Sequence, residues 1–122
     1  MRLVPDRAPR GRLLLLGLTS LLFAGADYAP RDEVREVVAS RAGFSPAAVN
    51  LRKGETTHLR LSTRDQEHCF AADAFRVEKR VVPGRSTTVD ITPDRAGTFP
   101  FYCCLETGAA LEKETGKLVV AD

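Results

Sequence analysis

The stretch Gly97-Thr98-Phe99-Pro100-Phe101-Tyr102-Cys103-Cys104 decides the fold. In an extended chain, side chains two apart share a face, so Phe99, Phe101 and Cys103 fall on one side and Tyr102 on the other. Two phenyl rings on one side need an interior to fill, and such a strand delivers Cys103 to that interior at its end. Upstream, Thr56 to Thr63 repeats the pattern with Leu59 and Leu61 turned inward and His58 and Arg60 outward, which assigns His58 to the surface rather than to a site. In Glu67 to Ala71, His68 shares its face with Phe70, which places the imidazole at the edge of the same core. A histidine and a cysteine distant in sequence thus line one end of the packing. Glu36 to Arg41, Ala48 to Arg52, Phe75 to Val82, Ser86 to Thr92 and Gly116 to Val120 complete a set of eight candidate strands. Turn residues close them at roughly the 8–12-residue spacing of an all-β sandwich. Lys53-Gly54 and Pro83-Gly84 mark tight turns, the second with proline and glycine where a type II turn needs a fixed φ and a positive φ. No amphipathic repeat of helical length interrupts this pattern.

Composition sets the outer bounds. A chain of 122 residues, 43% hydrophobic and 28% charged, predicts one domain of ordinary globular composition and excludes a multidomain enzyme. The formal charge is +2, but Arg2, Arg7, Arg10 and Arg12 against Asp6 account for more than all of it, leaving 14 basic and 15 acidic residues from Asp27 onward. A nucleic-acid binder carries its positive charge in the folded part, so nucleic acid is not an expected partner. After the basic start, Leu13 to Ala24 is apolar except for Thr19 and Ser20, shorter than the roughly 20 residues that span a bilayer. With Ala24-Gly25-Ala26 behind it, this reads as a secretory signal over residues 1–26. A periplasmic or secreted location follows, with no membrane association after cleavage. Residues 27–35 read as a polar tail and 36–122 as the domain. In an oxidising compartment the thiols of Cys69, Cys103 and Cys104 are expected to pair, bind metal or react.

The segments resemble the cupredoxin family over most of the exported chain. Phe44-Ser45-Pro46 and Val49-Asn50-Leu51-Arg52-Lys53-Gly54-Glu55 are similar to its opening strands, and Asp65-Gln66-Glu67-His68-Cys69-Phe70 to the segment holding its first copper histidine. Val82-Pro83-Gly84-Arg85, Thr92-Pro93-Asp94-Arg95-Ala96-Gly97, Phe99-Pro100-Phe101-Tyr102-Cys103 and Gly116-Lys117-Leu118-Val119-Val120 resemble the later strands in the same order. The resemblance implies a Greek-key β-sandwich with a metal held by loops at one end. In plastocyanin-like members, the cysteine is followed three residues later by a second histidine and eight residues later by an axial methionine. Here those positions are Glu106 and Leu111. Leucine simply removes a weak thioether, whereas glutamate puts a hard anionic oxygen where the blue-copper set has a neutral imidazole. Cys103-Cys104-Leu105-Glu106-Thr107-Gly108 also resembles the cupredoxin-like domain of periplasmic iron-uptake proteins, whose cysteine loop likewise lacks the histidine and methionine.

The expected metal ligands are therefore His68 and Cys103, with Glu106 as a third donor and Cys104 as a fourth if the backbone leaves the extended alternation there. One thiolate with one imidazole prefers Cu(I), Cu(II) or zinc to magnesium or calcium, and a second thiolate shifts the preference toward Cu(I). Copper is the expected cofactor and zinc the competitor, since Cys, Cys, His and Glu make an acceptable tetrahedron. Cys69, out of phase with His68, is expected to be packed or paired. Asp65 and Asp73 read as turn residues, and Glu67 has no assigned role. Two functions of different class follow. One is an exported copper protein in copper handling or one-electron transfer, with a redox or metal-exchange protein as partner; the thiol-rich ligand set leans toward handling. The other is a metal-free accessory module in which Cys69 bonds Cys103 or Cys104 and the third thiol is buried, three pairings being open in principle. The chain shows no nucleophile-plus-base pattern and too few histidines for a multicopper cluster, so it is not expected to be an enzyme.

Overall fold

A computed structural model describes residues 32–122, so the signal reading of 1–26 and most of the tail lie outside the described residues. Nine strands form two facing sheets: β1 (Glu33–Ser40), β2 (Gly43–Ser45), β3 (Ala48–Arg52), β4 (Thr57–Thr63), β5 (His68–Ala72), β6 (Val77–Val81), β7 (Thr87–Ile91), β8 (Gly97–Tyr102) and β9 (Thr115–Ala121). One sheet has the order β2-β1-β4-β7 and the other β3-β9-β8-β5-β6. A short helix, α1 (Gly108–Lys113), joins β8 to β9. Among the described residues, no helix is long and apolar enough to cross a membrane.

The period-2 pattern places the core as expected. Val37 and Ala39 of β1 and Leu59 and Leu61 of β4 are buried together, with β1 and β4 parallel and Val37 opposite Leu61. Facing them, Phe44, Phe70 and Phe101 form an aromatic cluster with ring centroids 4.8–6.0 Å apart. Edge-to-face and offset pairs of this kind contribute about 0.5–1.5 kcal/mol each beyond their burial. The turns also follow the sequence: Arg85 N–H donates to Val82 O at 3.2 Å and Gly84 has φ 85°, while Glu55 N–H donates to Arg52 O at 3.1 Å and Gly54 has φ 83°.

Three features differ from the sequence-based expectation. Strand β1 begins at Glu33, inside the stretch read as tail, because Glu33 to Ala39 run in parallel register with Thr57 to Thr63. A ninth strand, β2, folds back antiparallel on β1, with only three residues to carry a pattern. The helix α1 has six residues, too few for a 3.6-residue periodicity to show in the sequence.

Candidate metal centre

β5 is buried along its whole length because β8 and β6 flank it and the other sheet covers it. His68 opens that strand and is fully buried. The turn before it is tied by Thr63 Oγ1 donating to Gln66 O at 2.6 Å and by Asp65, whose Oδ2 accepts from Arg41 N–H at 2.8 Å and Oδ1 from Gln66 N–H at 2.6 Å. Asp65 Oδ1 also lies 2.7 Å from His68 Nε2. The Arg41 backbone N–H, and after it the His68 hydrogen bond, hold the Asp65 carboxyl well below the usual carboxylate range. An ionised carboxylate only accepts, so Nε2 carries a proton and Nδ1 is the ring nitrogen that points inward. Asp65 therefore acts as more than a turn residue: it sets the tautomer and the ring orientation.

Nδ1 faces two electron-rich atoms. Cys103 Sγ is 4.0 Å away and Glu114 Oε1 is 2.7 Å away. This buried oxygen makes no hydrogen bond of good geometry, though the Glu114 carboxylate lies near enough to the Cys103 thiol to help hold its proton. His68, Cys103 and Glu114 each offer one donor atom within 4.8 Å of the others, and all three residues are buried. Cys103 is placed by the end of β8 and by its N–H donating to Glu114 O at 3.0 Å, which also brings the C-terminal end of α1 against the site. Burial raises the thiol's pKa; N–H groups of Leu105 and Cys69, the latter 3.3 Å from Sγ, offset only part of that. The thiol is thus kept neutral until something cationic draws off its proton.

The donor set fits a first-row transition ion. Imidazole nitrogen at about 2.0–2.1 Å and thiolate at about 2.3 Å from one ion stand roughly 3.5–4 Å apart at trigonal or tetrahedral angles, which the 4.0 Å separation matches. The 2.7 Å between Nδ1 and Glu114 Oε1 is shorter than such a pair needs, so the carboxylate has to swing outward to admit an ion. One borderline nitrogen, one soft sulfur and one hard oxygen suit copper and do not suit magnesium or calcium.

Of the residues expected from sequence, the structure brings His68 and Cys103 together and leaves Glu106 and Cys104 out. Glu106 is half-buried on the loop after β8, in a surface depression beside Arg41 and Lys113, and is absent from the donor cluster. Cys104 is bonded to Cys69, so its sulfur is no thiolate, and Cys103 is the free cysteine. The alternation continues one residue past the strand, which turns Cys104 away from its neighbour's face. Glu114 supplies the carboxylate instead, eleven residues after Cys103. In the sequence it is indistinguishable from the exposed Glu112, and only the helix end at Lys113 separates them. His58 lies outside the site, 2.6 Å from Asp90, and Glu67 pairs with Arg80 at 2.6 Å on the surface.

Residues 12–120 match the family of the cupredoxin-like domain. The chain belongs to that family. Among curated relatives, a probable cytochrome c oxidase subunit 2 of Streptomyces avermitilis is 38% identical over 53 residues, 43% of this chain. That match spans only 17% of the relative's length. Among solved structures, this cupredoxin is similar to the periplasmic domain of subunit II of cytochrome oxidase (CoxB) of Bradyrhizobium japonicum, with TM-score 0.66 and 14% identity over 75% of this chain and 85% of that one. It is also similar to auracyanin A, a "blue" copper protein of Chloroflexus aurantiacus, with TM-score 0.61 and 16% identity over 75% of this chain and 100% of that one. At these identities the structural likeness speaks for the sandwich fold alone.

Proposed function

We propose that this cupredoxin binds one copper ion through His68 Nδ1, Cys103 Sγ and Glu114, and serves in one-electron transfer outside the cytoplasm. The observation that carries the reading is the convergence of an imidazole nitrogen, a thiol sulfur and a carboxylate oxygen, all buried and within 4.8 Å of one another, with the carboxylate oxygen lacking a hydrogen bond. A buried carboxylate oxygen without a hydrogen bond is costly, and a cation held by the three donors offsets that cost. Copper there supplies a one-electron couple. The chain's own residues hold it: Asp65 orients the ring, the backbone N–H groups of Cys69 and Leu105 support the thiolate charge, and the Phe70–Phe101 stack keeps water from one side.

Burial of all three donors favours retention of the ion over hand-off. Copper handling, toward which the sequence leaned, drew on a second thiolate from Cys104, and the disulfide removes it. The signal-like residues 1–26 and the periplasmic character of the Bradyrhizobium domain support the location, and one-electron chemistry implies a redox protein as partner. The Cys69–Cys104 disulfide is also what a metal-free accessory module would contain, so the test separates the two. Protein loaded with Cu(II) should bind one equivalent and show a thiolate-to-copper absorption band that Cys103→Ala abolishes with the fold intact. Failure to take up copper, or colourless protein holding equimolar zinc, would reject the proposal.

A further inference from the structure

The Cys69–Cys104 disulfide joins the residue after one proposed ligand, His68, to the residue after the other, Cys103. Within β5 the alternation turns the Cys69 side chain to the face opposite His68, and Cys104 packs with it at the margin of the core. Glu78 of β6 pairs with Ala71 and stands on that same outer side as Cys69. Cys69, Cys104 and Glu78 form a second group whose donor atoms all lie within 4.8 Å of one another. The burial is graded: Cys69 is buried, Cys104 half-buried and Glu78 exposed. The group thus opens to solvent through Cys104 and Glu78, unlike the enclosed site behind it.

We propose that the disulfide masks a second metal site, which reduction by an external dithiol converts into a Cu(I) site made of the Cys69 and Cys104 thiolates with Glu78 at its rim. A thiolate of the dithiol attacks the more accessible Cys104 sulfur, forming a mixed disulfide and releasing Cys69 as thiolate. The second thiol of the reductant then displaces Cys104. Two electrons pass from the dithiol, which leaves as its own disulfide, and the chain gains two thiols. Cu(I) binds as both thiols give up their protons. Two sulfurs so close in space select Cu(I) over harder ions, and Glu78 adds a carboxylate without crowding the pair. The oxidised chain then holds one class of site and the reduced chain two.

Anaerobic titration with Cu(I) against a chromophoric Cu(I) chelator tests this independently of the His68–Cys103–Glu114 reading. Cys103→Ala is expected to take up no Cu(I) when oxidised and one equivalent after reduction with a dithiol. Wild-type protein should gain one further equivalent on reduction, and the double variant Cys69→Ala with Cys104→Ala should lose that gain alone. Equal uptake by oxidised and reduced Cys103→Ala overturns the proposal, as does a gain on reduction that persists in the double variant. Should Cys103→Ala not fold, the wild-type and double-variant pair still decides. Oxidised wild-type protein that binds nothing would reject the first site and leave the second standing if the gain on reduction is seen.

Discussion

Replacing Glu114 with glutamine should make the protein more stable without copper and less stable than wild type with it. The residue is 2% exposed and one of its carboxylate oxygens lacks a hydrogen-bond partner. A buried acceptor left unpaired costs about 1–3 kcal/mol, and a glutamine amide can turn a donor toward Nδ1 and relieve much of it. A gain of about 1–2 kcal/mol in the copper-free protein corresponds to roughly 4–16 °C in melting temperature for a domain of this size. On the copper side, losing the anionic donor should weaken binding by about 100-fold, or about 2.7 kcal/mol. At free copper about 100 times the wild-type Kd, wild type gains about 2.7 kcal/mol, whereas the variant gains only about 0.4. Added to the relief in the copper-free state, the variant then sits about 1.4–2.4 kcal/mol above copper-free wild type, below loaded wild type. Urea unfolding followed by circular dichroism, with and without copper, reads both values. The reasoning fails if copper-free Glu114→Gln is less stable than wild type by more than about 1 kcal/mol, the sign expected on breaking a buried ion pair with His68. It also fails if copper shifts both proteins equally.

Other outcomes follow from the same geometry. Asp65→Asn removes the carboxylate that sets the His68 tautomer, and copper affinity should fall about 10–100-fold, as for other partners that orient a metal-bound histidine; competition against a chelator measures it, and unchanged affinity would remove Asp65 from the site. Gly116→Ala places a Cβ against the Phe101 ring and 2.5 Å from Ala47 O, so unfolding free energy should drop by about 1–3 kcal/mol in a denaturant titration. His58 is raised above its ordinary value chiefly by the Asp90 hydrogen bond. A raised histidine contributes its full stability below about pH 6.5 and loses it as pH climbs through the folded value. The melting-temperature difference between wild type and His58→Gln should therefore shrink from pH 5.5 to pH 8.5, and a difference that grows with pH would contradict the pairing.

Strand alternation made most of this protein legible in one dimension. Leu59, Leu61, Phe70, Phe101 and Cys103 are buried because a period of two leaves one choice of face once the aromatic side is known to be inside. The same rule brought His68 and Cys103 to one end of the sandwich and kept His58 out of it. It could also say that Cys69 and Cys104 face away from their neighbours, but not that they bond, since that depends on β5 and β8 lying side by side with Cα atoms 5.2 Å apart. The third donor was out of reach of any periodic argument. Glu106, Glu112 and Glu114 are chemically identical in a loop-and-helix segment that repeats too briefly to carry a pattern. Which of them turns inward depends on where α1 ends and on the Cys103 N–H bond to the Glu114 carbonyl. Faces of strands are local properties of a chain; the meeting of three side chains from three segments is a property of how those segments pack.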